Sequence, residues 1–376
     1  MTQVESIIAL MKESRNTAEK NSLVDYLINI AQNSSLTKKE RDILSTLIEY
    51  EAVGLHALFE GASCYKETNT CIGYANALMT LALVLFNDLS RAPKSLLSAF
   101  SQITPIIKKA RYFEDELDTM MTADTVTKDD VFHLSETLDG ITDEYQRGLL
   151  WSGILHYEDK FSSLNEEVAH AFHVLFVNEF KRLLSLPRID DILASIEVAV
   201  DALRLSLDGV VVSLLYESLT LGEPGITYYA VNSLLEANAE ISPDTVSFLA
   251  HDLEYAALTY EALQKHHKES LFPKELATSA YLAKSDLVHW LIYPTELGKM
   301  PDEIEYLGCV DVKKIPHYIF RFRSDSDTLD DASKGKWMIG WSAAEGNTFS
   351  NFDYYEDYEE KTVQKTLKRI KQELLY

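Results

Sequence analysis

The chain has 376 residues and a mass of 42.6 kDa, too long for one ordinary core, so two packed units or a repeat array are expected. Hydrophobic residues make up 46% and charged residues 25%, a balance that excludes wholesale disorder. The 59 acids against 35 Lys+Arg leave a formal charge of -24, a field that repels phosphates and anionic lipid and argues against nucleic acid or a membrane surface as partner.

From Val4 to about Tyr293 the apolar spacing is helical. Val4, Ile7, Ile8 and Met11 share one face; Leu23, Tyr26, Leu27 and Ile30 share the next; Leu44, Leu47, Ile48 and Val53 follow a break at Ser34-Ser35 and a cap at Thr37. Thr68 to Asn87 carries no charge, but Thr68, Asn69, Thr70, Asn76, Thr80 and Asn87 dilute it below the span of about 20 apolar residues a bilayer demands. It reads as a buried helix. Short polar breaks at 88–93, 122–127, 222–225 and 241–244 separate further helices. Thr127, Ser162 and Ser242-Pro243 read as caps or first-turn signals. Roughly fourteen helices joined by short turns are expected before the texture changes.

After Tyr293 the period becomes that of strands. Ile304 to Val310, His317 to Arg323 and Lys336 to Trp341 predict three strands of a small unit with three to four in all, and a final helix is expected from about Glu359 to Leu375, with Val363, Leu367, Ile370 and Leu374 on one face. Arg321 and Arg323 share one strand face, where pairing with Glu303 or Glu305 is expected. Tyr318, Phe320 and Phe322 take the other, expected to be buried against the terminal helix.

The piece Gly222-Glu223-Pro224-Gly225-Ile226-Thr227-Tyr228-Tyr229-Ala230-Val231-Asn232-Ser233-Leu234-Leu235-Glu236 resembles the repeating unit of HEAT-like proteins, with Ser242 to Leu249 opening the partner helix. No strict period accompanies it, so the repeats are irregular. Trp290 to Glu305, with Tyr318 to Arg323 and Trp337 to Gly340, resembles a module of uncharacterised bacterial HEAT-repeat proteins. These resemblances imply a mostly α fold: an irregular α-solenoid of HEAT-like helix pairs over residues 1–293 and a small C-terminal α+β cap over 294–376. They also imply an interaction scaffold, with no catalytic residues to carry over.

Catalytic signals are sparse. Cys64, Cys71 and Cys309 form no disulfide framework and no CxxC pair, which predicts free thiols in a reducing, cytoplasmic setting. The first residues lack the basic start and apolar run of a secretory leader. No nucleophile elbow and no glycine-rich phosphate loop occurs, and no cofactor is expected. His170 and His173, one helical turn apart beside Glu166 and Glu167, are the material for the alternative reading, a metal-dependent hydrolase with a site between helices.

The acids are unevenly spread. Glu114, Asp115, Glu116, Asp118, Asp124, Asp129, Asp130, Glu136, Asp139, Asp143 and Glu144 meet little basic compensation. Near the C-terminus, Asp353, Tyr354, Tyr355, Glu356, Asp357 and Tyr358 interleave acids with aromatics. Acids orient a basic partner while tyrosines supply buried area with a polar tip. The expectation is therefore a non-catalytic scaffold whose binding residues are Glu114, Asp115, Glu116, Asp118 and the 353–358 run. Its partner is a basic protein, such as a nucleic-acid-acting toxin neutralised in the manner of an immunity or antitoxin protein.

Overall fold

The computed structural model describes the chain except residues 1, 15, 34–35, 89–90, 295, 330–332, 346–347, 352–355, 358–362 and 374–376. It is mostly helical, and the described residues form two compact units: 1–175 with 189–195, and 176–188 with 196–376.

The first unit begins with α1 (Gln3–Glu13), α2 (Thr17–Asn33), α3 (Lys38–Gly61), α4 (Tyr65–Phe86) and α5 (Lys94–Ala110). Their apolar faces meet in one core that includes Val4, Met11, Leu27, Leu44, Ile48, Tyr74, Leu78, Leu81, Leu96 and Ile103. Thr37 caps α3 with Glu40 reaching back to the Thr37 amide, as its position predicts. Two side chains expected on buried faces are solvated: Tyr26 is 56% and Val53 79% exposed. Helix α4 is long and apolar enough to span a membrane, but Cys71, Ile72, Tyr74, Ala75, Leu78, Leu81, Ala82 and Leu85 are buried in the unit.

There follow α6 (Tyr112–Thr122), α7 (Lys128–Asp139), α8 (Glu144–His156), α9 (Glu158–Phe161) and the start of α10 (Glu166–Leu184). Thr127 caps α7 in a reciprocal pair with Asp130. At the opposite end of α7 the buried Arg147 donates to the carbonyls of Leu138 and Ile141, satisfying acceptors a helix leaves open there. Asp143 serves two helices at once. One oxygen accepts from Gln146 N–H at the start of α8, the other from Tyr65 N–H at the start of α4, at 2.9 and 3.0 Å. Ser162, expected to cap α10, closes α9 instead; Asn165 is the cap, its Oδ1 accepting from Val168 N–H at 3.0 Å.

The second unit carries the end of α10, α11 (Asp190–Ala202) from Ile196 onward, α12 (Gly209–Leu219), α13 (Pro224–Glu236), α14 (Pro243–His251), α15 (Ala256–Lys265) and α16 (Ser279–Leu291). Pro224 and Pro243 occupy first-turn positions, where the missing N–H costs nothing. Ala230, Val231, Leu234 and Leu235 are buried, as the repeat-like piece predicts, while Tyr229 is half-buried.

The expected strands are present as β1 (Glu303–Val312), β2 (Ile315–Arg323) and β3 (Met338–Glu345), antiparallel in that order. Two short strands, β4 (Thr348–Asn351) and β5 (Glu356–Asp357), both pair with β3. The β1–β2 turn is Lys313-Lys314, both at positive φ, the backbone of a tight two-residue hairpin. The terminal helix, α17, spans Val363–Glu373; Leu374, expected on its apolar face, lies outside the described residues.

One packing expectation is overturned. Phe320 and Phe322 lie not on the terminal helix but against α16, in a core with Ala283, Leu287, Trp290, Leu291, Leu297 and Met338. The opposite sheet face, with Val310, Val312, Ile319, Ile339 and Trp341, packs on Leu367 of α17. At Gly308, whose φ of 155° is one that L side chains rarely adopt, a bulge interrupts β1, and a Cβ there would stand 2.7 Å from Leu367 Cδ1 of α17.

Candidate functional site

The acids read as partner-binding divide between both units. Glu114, Asp115, Glu116 and Asp118 lie on α6 in the first unit. Glu356 and Asp357 are the two residues of β5 in the second. Asp353, Tyr354, Tyr355 and Tyr358 lie outside the described residues.

Helix α6 opens without a side-chain cap, so Glu114 and Asp115 in its first turn answer the partial positive charge there. Tyr65 Oη donates to Glu114 at 2.6 Å, and Arg111 Nε approaches the same oxygen at 3.3 Å. Burial and then the Glu114 carboxylate push the Tyr65 hydroxyl well above its ordinary range. Tyr157 donates to Asp118, whose carboxylate raises that phenol too. Glu116 Oε1 lies 3.5 Å from His133 Nε2, an ion pair when the imidazole is protonated. Its other oxygen is buried without a hydrogen-bond partner. Asp115 is exposed, with Arg111 at 4.0 Å.

Two clefts flank the helix. Between α6 and α7 a cleft of about 390 Å³ is lined by Tyr112, Asp115, Glu116, Thr119, Met120, Asp130 and His133. Toward α8 a second, of about 270 Å³, is bordered by Glu114, Asp115, Asp118, His156 and Tyr157 among others. Asp124, Asp129, Asp130, Glu136 and Asp139 add exposed carboxylates, and Lys128 is the one lysine or arginine in residues 112–146. That lysine lies 3.5 Å from Glu167. The arrangement is an acidic face on which tyrosines hold Glu114 and Asp118, with recesses beside it.

The histidines of the alternative reading are surface neighbours. His170 is exposed, His173 half-buried, and their rings stack at 6.1 Å. Among the described residues no group of three or more His, Cys, Asp or Glu is placed to hold a metal ion. Cys64 and Cys309 are exposed and Cys71 is buried, all three as free thiols. Arg321 and Arg323 pair with Glu305 and Glu303, as the strand register predicts, and both stack on Trp337, at 4.4 and 5.2 Å from its ring.

Two polar clusters escaped the sequence reading. In the first unit Glu51, 5% exposed, accepts from Lys20 Nζ at 2.9 Å and Tyr74 Oη at 2.8 Å. In the second, Glu197 of α11, Tyr228 and Tyr229 of α13, and Glu254 and Tyr255 of the turn before α15 come together. Burial, then the charges of Glu254 and Glu223, raise the Glu197 carboxyl; burial raises Glu254 as well. Tyr228 lies 5.4 Å from Tyr255 and 5.2 Å from Tyr229, ring to ring. The Glu197 carboxylate fills the space above Gly225, where a Cβ would meet it at 2.5 Å. Nearby, Asp286 accepts from Ser342 Oγ at 2.6 Å, and burial lifts its carboxyl to about 6. The one sequence signal was Glu51 itself, a carboxylate inside the Leu44, Leu47, Ile48, Leu55 stripe.

No protein family, curated protein or solved structure matches this chain.

Proposed function

We propose that this chain is a non-catalytic interaction scaffold built of irregular HEAT-like helix pairs, and that the α6 face docks a basic protein partner. An immunity or antitoxin protein covering the phosphate-binding surface of a nucleic-acid-acting toxin is the kind of molecule this describes. The supporting observation is that two α6 carboxylates are oriented from outside the helix, Glu114 by Tyr65 and Asp118 by Tyr157, on a face where residues 112–146 contain a single lysine or arginine. Fixed acids lose less side-chain entropy on binding than free ones, and a net charge of -24 steers a cationic protein toward them.

The test is co-purification from the source cell at low and moderate salt, read by mass spectrometry, followed by association kinetics with the recovered protein. A stoichiometric basic protein that leaves as salt rises is expected, with an on-rate that falls steeply over the same range. Recovery of the chain alone at both salts, or an on-rate indifferent to salt, overturns the reading.

A further inference from the structure

Helix α17 is a cationic element in a chain of net charge -24. It holds Lys365, Lys368, Arg369 and Lys371 against one acid, Glu373. The helix is attached by its apolar side: Leu367 packs on the sheet face of Val310, Val312, Ile319, Ile339 and Trp341, beside Gly308. Lys365, Lys368 and Lys371 recur at a spacing of three, so they form one inclined ridge on the helix surface, and all three are exposed. Among the described residues none of the three has an ion pair or a hydrogen bond.

The helix itself gains little from this ridge. Like charges one turn apart repel, and Lys365 stands in the first turn, where the macrodipole already presents positive charge. Only Lys371, in the last turn, answers the dipole. The sheet beneath does not use the lysines either. Its acids on that face, Glu303 and Glu305, are held by Arg323 and Arg321 of the sheet itself. The three lysines are therefore uncompensated positive charge, held at fixed spacing on a helix anchored by packing.

We propose that the α17 ridge docks an acidic peptide segment of a partner protein, a second surface of opposite sign to the α6 face and independent of it. The surrounding field decides the size of the occupant. A bilayer or a nucleic-acid duplex spreads its charge over a wide area, and a body of charge -24 is repelled as α17 approaches it. A short segment meets the ridge alone. From Lys365 to Lys371 the ridge rises about 9 Å along the axis, room for two or three carboxylates. Ammonium groups act as point charges on flexible stems, so the spacing of the acids matters more than their exact geometry.

The experiment uses the full chain at low salt with a fluorescent peptide of four Glu-Ala-Ala repeats and its Gln-Ala-Ala counterpart, followed by anisotropy. The glutamate peptide is expected to bind in preference to the glutamine one and to leave as salt rises. Lys365→Gln with Lys368→Gln and Lys371→Gln is expected to weaken it about tenfold. The control, Lys12→Gln with Lys38→Gln and Lys94→Gln, removes three exposed, unpaired lysines of the first unit and is expected to bind as the parent does. Both variants change the net charge equally, so the difference between them isolates the ridge. Glutamine is a good helix former and every altered side chain is exposed, so both are expected to fold, which circular dichroism checks. Equal affinity for the two peptides, equal weakening by the two triple variants, or tighter binding of phosphatidylserine vesicles or single-stranded DNA than of the glutamate peptide each overturns the proposal. The probe is read on the purified chain, so this result and the recovery of a basic partner on the α6 face stand or fall separately.

Discussion

The two units handle interior carboxylates in opposite ways. In the first, Glu51 is almost wholly buried and meets both a cation and a phenol, Lys20 and Tyr74, from two other helices. In the second, Glu197, Glu254 and Asp286 are partly buried, and no ion pair to any of the three exists among the described residues. A paired carboxylate ties helices together. An unpaired one shifts its equilibrium toward the protonated acid, because burial penalises the charge. The lesson is that acidity alone does not predict the contribution of an acid to stability; its partner does.

Breaking the paired side carries the largest expected effect. Lys20→Met leaves the Glu51 charge uncompensated and is expected to lower stability by about 3 kcal/mol, seen as a fall in the urea midpoint. Adding Glu51→Leu to that variant removes the stranded charge and is expected to recover most of the loss. A single variant as stable as the parent would show that the ion pair does not hold the first unit.

On the unpaired side the sign reverses. The folded carboxyl of Asp286 is raised to about 6 from an ordinary 3.8, so the folded state binds that proton more tightly than the unfolded chain. Its contribution to folding is complete below about pH 4 and is lost as pH rises through 6. Asp286→Asn keeps an acceptor for Ser342 and removes the charge, so it is expected to stabilise the second unit by up to about 2 kcal/mol at pH 8. That gain should shrink as pH falls toward 4, where the parent is itself neutral. A variant less stable than the parent at pH 8 contradicts the burial argument.

The smallest effect belongs to the exposed pairs of the sheet. Arg321→Gln with Arg323→Gln breaks both ion pairs and both stacks on Trp337, yet water screens them, and the urea midpoint is expected to move little. A large cooperative loss would place these arginines with Lys20 instead.

The legibility of the sequence follows the range of the interactions. Thr37, Thr127 and Ser242 cap their helices through residues two or three positions away, and such signals are local. The pairing of Arg321 with Glu305 was legible because strand alternation and a short hairpin bring them opposite each other. Alternation says which side chains share a face but not which helix covers it, and so the aromatic face was assigned to the terminal helix when α16 holds it. The acidic run on α6 was visible as composition, whereas its tyrosine partners, Tyr65 and Tyr157, come from α4 and the turn after α8. Glu197, Glu254 and the tyrosines near them are dispersed over many positions, and only tertiary packing brings their charges within reach of one another.

The bulge at Gly308 has an effect at the margin of the sheet. Strand β1 ends the described strand order, and a ten-residue margin with free amides and carbonyls is a template for another strand. The bulge breaks the regular spacing of those groups midway, while Glu303, Glu305 and Asp311 place carboxylates along the same strand. An identical margin arriving from a second molecule would meet a mismatched ladder, so crowding favours separate molecules over growth into fibres by strand addition.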